Sequence, residues 1–404
     1  MDQPTVFPYT DPAFVADPFP FYRELQEQGR VRHVVMANGL QAWLITRYDD
    51  VLAAFSDPRL SSDIGDAEDP GLLEQLQASQ DATLQRSMLR VNPPDHTRLR
   101  RLVSKVFTAR RVAELRPRIQ EITDQLLDTV TPAGRADLIE DFALPLPVTV
   151  ISELLGVPAD DRDGFQEWTN AMLAQRPGTP DPVRMDRAWE QLRSYLEELL
   201  AAKRAHPGND LLSALTTARD EDQSLDEDEL IAMAFLLLVA GYITTVNLIG
   251  SGIAALLAHP DQLKLLRDDP QLLPSAIEEF LRYDGPVSPG IARFPTEDVE
   301  IGGVIIPRGA TVLAATAIAD RDPAQFPGPD RLDVTRADNA HLAFGHGIHF
   351  CLGAPLARLE GEVAIGAALR RLPDLALAVP FGELEWQVAT LRGPKHLPVT
   401  FMPS

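Results

Sequence analysis

The chain has a single cysteine, Cys351, among 404 residues. That excludes an intramolecular disulfide and any zinc site built from several cysteines. Basic side chains are also scarce: 37 Lys and Arg stand against 59 Asp and Glu, for a formal charge of -22. So acidic a protein is a poor match for nucleic acid or an anionic membrane surface, since both attract positive charge. The opening residues, MDQPTVFPYTDPAF, lack a basic stretch followed by an apolar run. No signal peptide is expected, and the reducing cytoplasm is the expected location. Internal repeats, low-complexity tracts and a clean interdomain linker are missing too.

What is present is an ordinary globular balance, 45% hydrophobic and 24% charged. A core large enough to enclose a ligand is within reach of such a chain. Leu230 to Leu257 is long and apolar without a charge, which suggests a membrane span. It also carries Gly241, Thr244, Thr245, Asn247 and Ser251, follows the acidic SLDEDE, and has neither an aromatic belt nor a basic flank. A helix buried in the middle of a soluble protein fits better.

Most of the chain reads as helix. Helical patterns cover 18–27, 95–127 with a break near Ala109, 146–157 closed by Gly156, 225–257, 274–284 and 354–371. Asp95 reads as an N-cap. Two or more helices are expected over 158–206, interrupted by RPGTPDPVR. Residues 40–48 read as a strand after a turn at Asn38-Gly39, and 287–314 and 373–404 as further strands. Residues 58–91 and 320–340 read as long loops, the first with short helices. The expectation is one α+β domain spanning 1–404, mainly helical, with strands clustered at its two ends.

The chemistry concentrates in Phe344-Gly345-His346-Gly347-Ile348-His349-Phe350-Cys351-Leu352-Gly353. Glycines let the backbone turn tightly beside a flat ligand. A cysteine just before a helix that starts near Ala354 is placed where N–H groups and the helix dipole favour a thiolate. A thiolate can serve as the axial ligand of haem iron. A lone cysteine would more simply be buried and inert, and the ten-residue pattern favours the ligand.

This segment resembles the haem-binding motif of cytochromes P450, Phe-Gly-x-Gly-x-His-x-Cys-x-Gly, at every fixed position. The resemblance covers nearly the whole chain and is greatest to soluble bacterial members, above all actinobacterial enzymes of secondary metabolism. It implies a P450 fold, a large helical lobe and a small β lobe around a buried haem b, with Cys351 as the iron ligand and Phe344, Gly345 and Gly353 shaping the loop. It implies that His96, Arg100, Arg293 and His349 bind the propionates, which suits their ability to donate charge-assisted hydrogen bonds. Glu279 and Arg282, three apart on a helix, would form a structural triad with Arg331. Ala240-Gly241-Tyr242-Ile243-Thr244-Thr245 resembles the oxygen-activation segment, where small residues let the helix pass close to the haem. Thr244 would bond dioxygen and help deliver protons, and a local helix distortion is expected there. The alternative for Thr244 is a bond to its own helix carbonyl. The family usually carries an acid where Ile243 stands.

The resemblance implies reductive activation of O2 by a monooxygenase that hydroxylates or epoxidises a lipophilic natural product such as a macrolide or polyketide. Oxidative C–N or C–C coupling without oxygen insertion is the alternative, motivated by Ile243. A non-catalytic haem-binding protein is a third reading. With no flavin or nicotinamide fingerprint, electrons are expected from a separate ferredoxin and ferredoxin reductase. Arg98, Arg101, Lys105, Arg110 and Arg111 form a basic helix face that could dock the ferredoxin, or could simply be solvated. Substrate-wall candidates are 80–91, Trp168 to Leu173, Leu237, Ala240, Val287 to Ile291, Thr390 and Leu391, all of which could equally be core. A monomer is expected.

Overall fold

The computed structural model describes residues 4–36, 39–69, 72, 84–162, 164–165, 167–168, 182–218, 224–388 and 391–403. Asn38, 80–83, 169–173, 176–181 and Thr390 lie outside the described residues.

Fourteen α-helices are recorded among the described residues. Six carry the argument below and are labelled in chain order: α1 (Asp95–Val106), α2 (Arg116–Val130), α3 (Pro145–Leu155), α4 (Glu227–Ala258), α5 (Leu273–Asp284) and α6 (Ala354–Arg371). Helix α4 is the axis, 32 residues and about 48 Å long at 1.5 Å per residue. Its start is fixed by a capping box. The Asp226 side chain accepts from the Glu229 N–H, and the Glu229 side chain accepts from the Asp226 N–H. It is apolar nearly all round because α3, α5 and α6 pack about it. By length and composition alone it could cross a membrane, yet 67% of its most apolar window is buried inside the fold.

Helix α1 begins one residue earlier than Asp95 suggested. Pro94 takes the N-cap place with a backbone already helical, and no side chain caps the helix. Asp95 instead lies 3.7 Å from Arg98, one turn on. Helix α3 ends as its sequence suggests, on Gly156 in the left-handed region (φ 77°).

The small lobe is built on a six-stranded sheet of β1 (Thr5–Val6), β2 (Val31–Val35), β3 (Gln41–Ile45), β4 (Leu60–Ser61), β6 (Ile291–Pro295) and β7 (Val312–Ala314), hydrogen-bonded in the order β1-β2-β3-β7-β6-β4. Trp43 pairs with Val312 and Val312 with Arg293, so residues far apart in the chain share one ladder. The tail strand Pro398–Thr400 pairs with β5 (Arg135–Asp137), set in the middle of the helical lobe. Strands are therefore not confined to the two ends. A three-residue strand is too short to show alternation in sequence.

Candidate functional site

Cys351 sits between a glycine-rich loop and the first turn of α6. Its N–H donates to the Phe344 carbonyl at 2.9 Å, closing the loop. Gly345 and Gly347 take the left-handed backbone (φ 68° and 71°), which a side chain would strain. At Gly347 a Cβ would also lie 2.7 Å from the Phe55 carbonyl oxygen. Phe344 packs edge-on to Phe350 and lies under the Arg358 guanidinium, 4.6 Å from its ring centre. Burial pushes the Cys351 thiol up, while the N–H groups of Gly353 and Ala354 and the charges of Arg100 and Arg358 pull it down. Those donors favour the thiolate once a cation sits on the sulfur.

Four side chains from three separate segments converge beside this loop. They are His96 and Arg100 from α1, Arg293 from β6, and His349. The His96 and His349 rings are 4.3 Å apart, centre to centre. His349 is pushed down to about 3, first by burial and then by His96, Arg293 and Arg100. Arg293, itself buried, is pushed down to about 10 by burial and by Arg90. His96 is lowered by burial and Arg100. Both ring nitrogens of His96 are buried without a hydrogen-bond partner. The unpartnered His96 ring beside the Arg100 and Arg293 guanidiniums makes a site that asks for an anion. Two carboxylates of a flat ligand seated against Cys351 would satisfy it, so these residues fit a haem.

The facing wall is α4. Residues 229–236 and 245–256 of this helix are buried, whereas Leu237, Ala240, Gly241, Ile243 and Thr244 are not. An uncovered stretch in the middle of an otherwise buried helix marks the face left for a ligand. The missing Cβ of Gly241 is not on that face. It would meet Ile151 of α3 at 3.0 Å, so Gly241 serves helix packing while Ala240 lies open. The Thr244 hydroxyl donates to the Ala240 carbonyl at 3.0 Å. Helix α4 runs from Glu227 to Ala258 without a break, so the expected distortion is absent here. Val287 and Leu391 are brought together by a β-bridge, and Ile291 Cδ1 lies 3.9 Å from a Cβ built at Gly345. These apolar residues are only partly buried.

The triad forms with a different third member. Arg282 makes two bonds to Glu279, at 2.7 and 2.8 Å, and both side chains are fully buried. Arg336 completes the set, its Nε 3.0 Å from Glu279 Oε2. Arg331 offers only its backbone carbonyl to Arg282, at 3.2 Å. Its side chain is 71% exposed and pairs with Asp333. Both arginines lie in one loop, and spacing gave no means of choosing between them.

Two more findings lay beyond sequence reasoning. The basic face of α1 loses Arg98, which binds Glu229 of α4 in a fork. Glu360 on α6 is fully enclosed, with neither oxygen closing a hydrogen bond at normal length. Burial pushes its carboxyl up to about 8, and the Thr245 hydroxyl beside it pulls the other way.

A cysteine held at a helix start, a cationic cradle beside it and an open helix face opposite define a haem-thiolate protein. Comparison with known proteins agrees. The cytochrome P450 family profile matches residues 60–373. Over 390 residues the chain is 50% identical to the cytochrome P450 monooxygenase PikC of Streptomyces venezuelae, covering 96% of this chain and 91% of that one. It is 46% identical to the 6-deoxyerythronolide B hydroxylase of Saccharopolyspora erythraea, covering 96% of each. The crystal structure of the myxobacterial P450 CYP267B1 with myristic acid superposes with a TM-score of 0.91 at 42% identity, covering 96% of this chain and 98% of that one. The chain belongs to the cytochrome P450 family and is a P450 monooxygenase whose cofactor is haem.

Proposed function

We propose that the chain acts as one P450 domain, a cytoplasmic monomer, and hydroxylates or epoxidises a lipophilic natural product of the macrolide or polyketide kind. The observation that carries this is the open stretch of α4, Leu237 to Thr244, with partly buried Val287, Ile291 and Leu391. Such a wall favours an apolar substrate with few polar contacts. The relative named for 6-deoxyerythronolide B and the relative holding myristic acid support the same class.

Haem supplies the reductive activation of O2 when bound, with electrons from a separate ferredoxin and its reductase. The protein's own part is positional. Cys351 holds the iron through sulfur. His96, Arg100, Arg293 and His349 hold the propionates by charge and hydrogen bonds. Arg101, Lys105 and Arg110 are exposed, and with the partly buried Arg111 they offer a face to the acidic ferredoxin. Thr244 stands at the open face with its hydroxyl donated to the Ala240 carbonyl, so its oxygen is free to accept a hydrogen bond there, and it relays a proton only by turning away from Ala240. Behind it, Glu360 is a carboxyl that keeps its proton near neutral pH. With Ile243 in the usual place of an acid, Thr245 and Glu360 provide a protonated group on that side.

The test is a titration of the ferric protein with macrolides, polyketides, terpenoids and sterols, followed by turnover with labelled O2. A saturable change in haem absorption with one class, and label in the product, supports the reading. Product formed without label would favour the second reading, oxidative C–N or C–C coupling, which Ile243 favours.

A further inference from the structure

Two adjacent carboxylates on α5 serve different loops. Glu279 holds the loop 320–340 through Arg282 and Arg336. Glu278 holds Arg358 of α6 in a two-armed fork, Nε to Oε1 at 2.6 Å and Nη2 to Oε2 at 2.7 Å. Its Oε2 also lies 3.2 Å from His341 Nε2. The His341 side chain is 3% exposed, and its Nδ1 accepts from the Ala343 N–H at 3.2 Å. The ring hydrogen therefore sits on Nε2 and is donated to Glu278. Burial pushes the Glu278 carboxyl up, but the bonds from Arg358 and His341 win and pull it down to about 2.

A long arginine side chain on a helix surface would ordinarily reach for water. This one is held at three places. Two are the arms of the fork, and the third is the Phe344 ring, whose centre lies 4.6 Å from the guanidinium carbon. The Phe344 carbonyl in turn takes the Cys351 N–H at 2.9 Å. A fixed positive charge thus stands beside the cysteine loop, and the sulfur feels it. Arg358 is among the charges that pull the Cys351 thiol down, and Cys351 pushes Arg358 up. Arg100 also acts on the sulfur, but it belongs to the propionate cradle, where bound carboxylates would offset it. Arg358 is balanced instead by Glu278, which approaches it from α5.

We propose that Arg358 is a positioning residue for the haem-thiolate centre: held by Glu278 and stacked on Phe344, it keeps a positive charge at the cysteine loop that raises the potential at which the haem takes up an electron. This rests on the reading of Cys351 as the iron ligand. One electron passes from reduced ferredoxin to ferric haem, which becomes ferrous, and no bond forms or breaks. The added negative charge is favoured by a cation near the sulfur and disfavoured by an anion. Arg358 and Glu278 should therefore act in opposite directions, which a role in packing alone would not produce.

The midpoint potential of the substrate-free holoenzyme is measured by spectroelectrochemistry for the wild type, Arg358→Gln, Arg358→Lys and Glu278→Gln. The ferrous–CO band reports whether the thiolate is kept, and Tm reports on folding. Arg358→Gln should lower the potential by ~40 mV, a fivefold change in the one-electron equilibrium at about 59 mV per factor of ten. Arg358→Lys keeps a charge without the fork and should fall between. Glu278→Gln keeps an acceptor for Arg358 but loses the negative charge, so it should raise the potential. A thiolate-type CO band with an unchanged potential in Arg358→Gln would overturn the proposal, as would shifts of the same sign in Arg358→Gln and Glu278→Gln. If Arg358→Gln did not fold, Glu278→Gln would decide alone, and an unchanged or lowered potential there would overturn it. A wild type without a thiolate-type CO band would overturn the reading of Cys351 and the proposal with it.

Discussion

Arg336 Nε lies 3.0 Å from Glu279 Oε2, one of the contacts that tie the loop 320–340 to α5. The same carboxylate takes both arms of the Arg282 fork, the Asp333 N–H at 2.8 Å and Asn339 Nδ2 at 3.1 Å. Glu279 is buried and fully engaged, so each cation matters to a charge that cannot reach water.

Replacing Arg336 should therefore be costly. Arg336→Ala removes one of two cations from a buried carboxylate, and a loss of about 3 kcal/mol is expected. Arg331→Ala should cost about 0.5 kcal/mol or less, as an exposed residue. Chemical denaturation of the two variants measures the difference. Equal losses would show that the two arginines share the role.

The cationic cradle predicts opposite effects with and without haem. Arg293→Met removes a buried charge set among other positive charges. The apoprotein should become more stable and the holoprotein should release haem faster, by about tenfold for the loss of one charge-assisted bond. Apoprotein melting and haem transfer to a scavenger globin give the two readouts. A variant that weakened both forms alike would make Arg293 a structural residue only.

Thr244→Ala deletes a hydroxyl whose only bond among the described residues is to its own helix at Ala240. Stability should change by about 0.5 kcal/mol or less. The fraction of consumed electrons that appears in product should fall several-fold if Thr244 handles protons. Coupling at the wild-type level, measured as product per reductant, would remove Thr244 from that role.

Glu360 contributes to the pH dependence of stability, as does the buried Asp320, pushed up to about 7 by burial. The folded-state pKa of Glu360 is raised from 4.5 to about 8 by burial. The native chain thus keeps a proton that the unfolded chain gives up. The linked stability is fully present below pH 4.5 and is lost as pH rises toward about 8. Glu360→Gln should flatten that decline, so that its Tm advantage over the wild type grows with pH. It should also slow product formation. A Tm difference that stayed constant across this range would mean that Glu360 is ionised in the folded protein.

The Cys351 loop was legible in sequence because its chemistry is local. The cysteine, the positive-φ glycines and the helix that starts at Ala354 lie within a dozen residues, so spacing alone fixes how they meet. The same holds for the end of α3 at Gly156, where one residue's backbone freedom stops a helix. Helix α4 was legible by its unbroken apolar composition. Long-range pairing was not. Nothing in the loop 320–340 says which arginine turns inward, because the choice depends on where Pro327 and Asp333 place the backbone beside α5. Glu360 lies in LEGEV, which reads as solvent-facing; only the packing of α6 against α4 and α2 encloses it.

The sequence by itself determined the glycine-rich cysteine loop, the long central helix and the family. It could do so because each is written in contiguous residues whose backbone preferences and side-chain chemistry act within a few turns. The tertiary structure decided which arginine completes the buried triad, that Gly241 faces α3, that Arg98 is spent on Glu229, and that burial pushes the Glu360 carboxyl up. Those depend on desolvation and on charges from distant segments, and both exist only once the chain has folded around them.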